Sequence, residues 1–225
     1  MAVLRVNNLS LGYEKQVVIN NISFEVNKHD FILVIGSNGV GKSTLIKGIL
    51  GIIKPISGEI IYDEVKKNHV GYMPQETKVD SNFPASVMEI VLSGLVNKMG
   101  FRPFHNKKDK EKAREALRIL HIENLENKIF SELSGGQRQK VLLARSLCAT
   151  TNLLILDEPS NNLDQESKVD FYSTLKHLNE GHGITIMMIT HDVARDRESF
   201  VGNKVLELKK DSFIFKETDE YLEEY

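Results

Sequence analysis

The chain has 225 residues, of which 41% are hydrophobic and 27% charged, with a formal net charge of -2. That balance argues against a nucleic-acid-binding surface, which usually carries a basic excess, and the length suits one large α/β domain with a subdomain. Uninterrupted apolar runs such as 31–35 and 153–156 are far shorter than the roughly 20 residues of a membrane helix; no signal segment opens the chain, and the single Cys148 excludes an internal disulfide, so it reads as soluble and cytoplasmic.

In chain order, residues 3–6, 17–19, 22–26 and 31–35 read as short strands. Gly12 and Asn20-Asn21 separate them as turn residues, which predicts an antiparallel sheet at the start. Residues 31–35 are apolar throughout, as expected of a strand buried on both faces of a parallel sheet. A glycine-rich turn follows, and then Leu45, Ile46, Ile49 and Leu50 at helical spacing. From roughly Glu76 to Thr150 the chain reads as mostly helical. One helix is predicted over 109–121, with Ala113, Ala116, Leu117 and Leu120 on its apolar face, and the charged run 106–112 reads as a solvated loop entering it. Two further buried strands, 153–156 and 184–189, flank a helix over 165–179. Strands over 205–208 and 212–215 precede an acidic end. The expected organisation is a single domain, 1–225. A catalytic core with an antiparallel β subdomain comprises 1–75 and 151–225, and an α-helical insertion spans 76–150.

The run Gly36, Ser37, Asn38, Gly39, Val40, Gly41, Lys42, Ser43, Thr44 fits a phosphate-binding loop between a buried strand and a helix. Glycines let the backbone wrap closely around phosphates with N–H groups turned inward, and the following helix adds its positive end. Lys42 is expected to reach the β and γ phosphates of ATP, and the Ser43 hydroxyl to ligate Mg²⁺. Residues 153–156 form an apolar strand that runs into Asp157 and Glu158. Ligands collect beyond the carboxyl ends of parallel strands, so Asp157 is placed to hold Mg²⁺ and Glu158 to act as general base on the attacking water. Together these elements predict a P-loop NTPase.

At the end of the helical insertion stands Leu133-Ser134-Gly135-Gly136-Gln137, opening a helix. A Ser and two glycines at a helix N-terminus can form a second anion site, with Ser134 also serving as a cap. Here the chain resembles the ABC ATPase family, whose signature is this pentapeptide. The resemblance runs from Tyr13 to the C-terminal strands. It implies a RecA-like parallel core in which Ser134, Gly135, Gly136 and Gln137 of one subunit complete the nucleotide site of another in a head-to-tail homodimer. It implies that Tyr13 stacks on adenine, that Gln75 touches Mg²⁺ and the lytic water, and that His191 contacts the γ-phosphate. Asp164 is the matched acid of a loop that crosses the dimer interface. Within that loop Asn161 and Asn162 stand where the family more often has small residues.

With no membrane span of its own, such a subunit requires permease partners and works peripherally on the cytoplasmic side of the cell membrane. The stretch 80–94, with its Phe83-Pro84 pair followed by Val87 and Glu89, is similar to the ATPases of zinc and manganese uptake systems. That resemblance implies uptake of a divalent metal delivered by an extracytoplasmic binding protein. A turn capped by Ser86 before an ordinary helix is the plainer reading of the same residues. The six histidines other than His191 show no metal-ligand spacing. An exporter or force-transmitting complex, and a soluble ABC protein acting on ribosomes or DNA, are the alternative classes; the single cassette without heptads argues against the last.

Overall fold

A computed structural model describes residues 1–14, 16–75, 84–150, 152–161, 163–190 and 201–224. Two sheets carry the architecture. Strands β1 (Ala2–Tyr13) and β2 (Gln16–Asn27) form a long antiparallel hairpin, and β4 (Ser57–Tyr62) pairs antiparallel on the other edge of β1. The expected breaks at Gly12 and at Asn20-Asn21 are not turns. Gly12 pairs with Val17 within the hairpin, and β2 continues through both asparagines. The polar residues mark irregularities instead: Asn8 and Asn21 take left-handed backbone angles (φ 46° and 51°), and the register shifts between Val6 and Leu9. Asn tolerates that conformation at little cost, so a bulge bends the strand without ending it.

Among the described residues the second sheet has six strands. They are β3 (Phe31–Ile35), β5 (Gly71–Met73), β6 (Leu153–Asp157), β7 (Thr185–Ile189), β8 (Lys204–Leu208) and β9 (Phe213–Glu217), in the order β5-β6-β7-β3-β8-β9. The first five in that order run parallel, and β9 closes the edge antiparallel to β8. Alternate residues of the central strands enter opposite cores, which explains their unbroken apolar sequence. Phe31, Leu33, Leu154, Leu156, Ile186 and Met188 pack toward the helical side. Ile32, Val34, Leu153, Ile155, Met187 and Ile189 pack with the hairpin and with Leu45, Ile46 and Ile49 of helix α1 (Lys42–Ile49). Each such side chain, removed from water, contributes about 1.5–3 kcal/mol, so the sheet is a rigid platform for whatever its strand ends carry.

Helices α2 (Val87–Ser93), α3 (Lys107–Ile119), α4 (Gly135–Ala149) and α5 (Gln165–His182) cover the helical face, and α6 (Thr218–Glu224) follows β9. Three of them begin with a reciprocal cap, in which a side chain at the start accepts from the third residue and that residue's side chain accepts from the start. The pairs are Ser86 with Glu89, Asn106 with Asp109, and Ser134 with Gln137. The cap at Asn106 corrects the expectation of a loop over 106–112. Lys107 to Lys112 already form the first turns of α3, because Asn106 starts the helix at Lys107, two residues before the expected Asp109 and well before Ala113 opens the apolar face. The acidic end carries α6 over Thr218–Glu224. No helix among the described residues is long and apolar enough to cross a membrane.

Candidate active site

The phosphate loop leaves the carboxyl end of β3 and enters α1 directly. Gly36 has φ 141°, and a Cβ there would lie 2.4 Å from the carbonyl oxygen of Leu208. Gly41, the residue before the helix, has φ 113° and would press a Cβ against Ile19 at 2.9 Å. Both positions therefore demand glycine for conformation and for space. Gly39, with φ 79°, would place a Cβ with no atom of the described residues within 4 Å, and it lines an open cleft. That cleft measures about 460 Å³, and its lining includes Asn38, Gly39, Lys42, Ser43, Gln75 and Glu158. The loop, Gln75 and Glu158, more than a hundred residues apart at the extremes, are thus gathered in one place.

Lys42 is buried, and its Nζ donates to the Gly36 and Ser37 carbonyls at 2.7 and 3.1 Å. Burial lowers its pKa despite the opposing attraction of Glu158 and Asp157. Asp157, at the end of β6, is buried, and its Oδ1 has no hydrogen-bond partner among the described residues. Burial first, and the Glu158 carboxylate second, push its pKa up; Tyr72, Lys42 and Lys47 oppose the rise. Burial also raises the Tyr72 phenol to about 12, with Asp157 adding to the shift. A buried carboxylate oxygen without a donor, beside a second carboxylate, is an arrangement that a divalent cation relieves. Among the described residues no group of three or more His, Cys, Asp or Glu is arranged to hold a metal ion. Mg²⁺ at this site fits the usual pattern in which one or two protein oxygens are completed by phosphates and water.

Glu158 follows the strand with a left-handed backbone (φ 49°), and its N–H donates to the Ile189 carbonyl at the end of β7. The turn brings its side chain to the cleft. Gln75 Nε2 donates to Glu158 Oε2 at 2.5 Å, and Asn161 Nδ2 donates to the same oxygen.

The second predicted anion site lies elsewhere. Ser134 caps α4, with its Oγ accepting from Gln137 N at 3.3 Å and Gln137 Oε1 accepting from Ser134 N at 3.2 Å. Ser134 and Gly135 are exposed, and neither Gly136 nor Gln137 belongs to the lining of the cleft around Lys42. Gly136 instead abuts Ser167, where a Cβ would lie 3.1 Å from the hydroxyl. The N–H of Ser167 donates to Asp164 at 2.8 Å, capping α5 and holding the Asp164 carboxyl below its usual range. Of the residues matched to the dimer interface, Gly136 and Asp164 thus meet at Ser167 in the first turn of α5. Tyr13, at the end of β1, is outside the cleft lining; its ring is partly exposed, with Lys47 Nζ 3.4 Å from its hydroxyl. His191, Asn162 and Phe83 lie outside the described residues. The contact of Asn161 with Glu158 is not specified by residue type, and its only trace in the sequence is Asn161 standing where the family more often has a small residue.

A parallel sheet with a phosphate loop after its central strand and acidic residues at a nearby strand end defines a P-loop NTPase. The chain belongs to the ABC transporter family: the family's sequence profile, described as ABC transporter, matches residues 19–161. It is 39% identical over 198 residues to the zinc uptake system ATP-binding protein ZurA of Listeria monocytogenes, covering 85% of this chain and 77% of that one. Identity to the manganese transport system ATP-binding protein MntB of Bacillus subtilis is 36% over 217 residues, 95% of this chain and 86% of that one. Among solved structures, an ABC transporter assigned to the metal-chelate type, in an inward-facing conformation, superposes with a TM-score of 0.86 at 33% identity, covering 98% of this chain and 85% of that chain. The chain is an ABC transporter ATP-binding subunit that resembles zinc and manganese uptake ATPases, and membership of the family implies ATP hydrolysis.

Proposed function

We propose that this chain is the ATPase of a divalent-metal uptake system for an ion such as zinc or manganese. It would act as a head-to-tail homodimer on the cytoplasmic side of the membrane, with permease subunits and an extracytoplasmic metal-binding protein as partners. The observation that carries the chemistry is the convergence of Lys42, Ser43, Gln75 and Glu158 on one open cleft, with the unpartnered Asp157 oxygen behind it. The loop amides of residues 36–44 and the Lys42 ammonium receive the phosphates of ATP; Lys42 exchanges its present carbonyl partners for them. Ser43, Asp157 and Gln75 would hold Mg²⁺, which when bound neutralises phosphate charge. Glu158 takes the proton of the attacking water, Gln75 orients that water, and His191 contacts the γ-phosphate. Tyr13 stacks on the adenine.

The physical separation of Ser134–Gln137 from the cleft supports the dimer. An exposed, capped helix end with its own free approach is suited to close over the γ-phosphate held by another subunit, and Gly136 and Asp164 meet at Ser167. ATP then bridges two protomers, and its hydrolysis removes the bridge. The cargo rests on similarity to ATPases of zinc and manganese systems. The test has two arms. Purified Glu158→Gln is expected to bind ATP, hydrolyse it very slowly and accumulate as an ATP-bound dimer. Cells lacking the chain, or carrying that variant, are expected to grow poorly when zinc or manganese is limiting. Turnover like the wild type in the first arm removes the base; unaffected growth under both limitations removes the metal cargo.

A further inference from the structure

We infer that Asn161 is a positioning residue for hydrolysis: its side-chain amide holds the Glu158 carboxylate at the cleft and ties it to the loop that leads to Asp164. The inference rests on the reading of Glu158 as general base. Two amides from different parts of the chain converge on Glu158 Oε2. Gln75 reaches it from just beyond β5, and Asn161 from three residues further along the chain. The local backbone makes the second contact possible. The left-handed turn at Glu158 folds the chain back, and the Asn161 N–H approaches the Glu158 carbonyl at 3.4 Å, which sets the Asn161 side chain against the carboxylate.

The donor is itself held in place. Ser160 is buried and shares a 2.8 Å hydrogen bond with the Tyr172 hydroxyl of α5, and the Leu163 N–H donates to the Ser160 carbonyl at 3.1 Å. Asn161 therefore sits on an anchored loop rather than a free one. A glutamate side chain has three rotatable bonds, and a base is effective only while its carboxylate points at the water. Two fixed donors on one oxygen remove much of that rotational search before the reaction begins. A small residue at 161 supplies no such donor, so in this chain the loop at the predicted dimer interface gains a direct hold on the base. A shift of residues 160–164 would turn the carboxylate.

Steady-state hydrolysis and thermal melts of four variants test this. Asn161→Ala is expected to lower kcat about tenfold, the scale of one hydrogen bond to a charged group, while KM for ATP stays near that of the wild type. Asn161→Asp removes the donor and sets carboxylate against carboxylate, so it is expected to lower kcat further and also the melting temperature. Adding Glu158→Gln to Asn161→Asp gives position 158 an amide that can donate to the new carboxylate, and the melting temperature is expected to return to that of Glu158→Gln alone. A residue that merely shapes the loop would show the same melting loss from Asn161→Asp in both backgrounds, and that result overturns the proposal. So does a wild-type kcat in Asn161→Ala when Glu158→Gln is inactive. Retained turnover in Glu158→Gln by itself instead identifies the failure as that of the base assignment, and the positioning role falls with it.

Discussion

Gly36 and Gly39 stand three residues apart in the same loop, yet the structure assigns alanine substitutions different consequences. At Gly36 the backbone has φ 141° and an added Cβ lies 2.4 Å from the Leu208 carbonyl and 3.0 Å from Val40 Cγ1. The conformational cost is about 1–3 kcal/mol, and relieving a clash with backbone adds a comparable amount. A total of about 4 kcal/mol corresponds to a melting temperature lower by roughly 8–16 °C for a chain of this size. At Gly39 φ is 79° and no atom of the described residues lies within 4 Å of an added Cβ, so Gly39→Ala carries the backbone cost of about 1–2 kcal/mol, or roughly 2–8 °C. Its methyl group, however, enters the cleft where phosphate is expected. Thermal melts without nucleotide, paired with titration of an ATP analogue, separate the two effects. Gly36→Ala is expected to lose more stability, and Gly39→Ala to lose affinity out of proportion to its stability. A Gly39→Ala variant less stable than Gly36→Ala, or a Gly36→Ala variant that melts with the wild type, would refute these two assignments.

Ser134→Ala removes one side of a reciprocal helix cap and is expected to cost about 1 kcal/mol, read as a small drop in melting temperature. Hydrolysis should fall far more than that loss accounts for if Ser134 also completes a neighbouring subunit's site; a parallel fall in both leaves only the cap. For Asp157, burial and the Glu158 carboxylate raise the folded-state pKa. A raised carboxylate pKa contributes stability when protonated, below its unfolded value, and that contribution is lost as pH rises through the folded value. At neutral pH the ionised group therefore burdens the nucleotide-free fold. Asp157→Asn is expected to raise the nucleotide-free melting temperature at neutral pH, to flatten its rise on acidification, and to abolish further stabilisation by Mg²⁺-ATP. An unchanged or lower nucleotide-free melting temperature contradicts this account.

Local chemistry was legible residue by residue. The phosphate loop needs glycines and a lysine at fixed spacing, and Gly36, Gly41 and Lys42 occupy that geometry because a strand and a helix flank them directly. The Ser-x-x-Gln and Ser-x-x-Glu patterns at Ser134 and Ser86 similarly announce helix starts, and both form caps. Other elements left weaker traces. β4 is half exposed and β5 only three residues long, so neither displays the apolar run that marks β3 or β6. Asn20 and Asn21 resembled a turn because the same left-handed tolerance serves turns and bulges, and only the pairing with β1 decides between them. The charges of residues 106–112 resembled a loop because the first turns of α3 are exposed.

The sequence by itself determined the nucleotide chemistry and the family, since both reside in short runs whose function depends on local backbone and side-chain type. Tertiary structure decided which of those runs share a site. The placement of β6 beside β7, and of β7 beside β3, brings Glu158 to the phosphate loop, while the packing of α4 against α5 sets Gly136 against Ser167, whose N–H is held by Asp164, and outside the cleft lining. It also decided that Asn161 meets the Glu158 carboxylate, because that contact depends on a left-handed turn and an anchored loop that residue type alone does not specify.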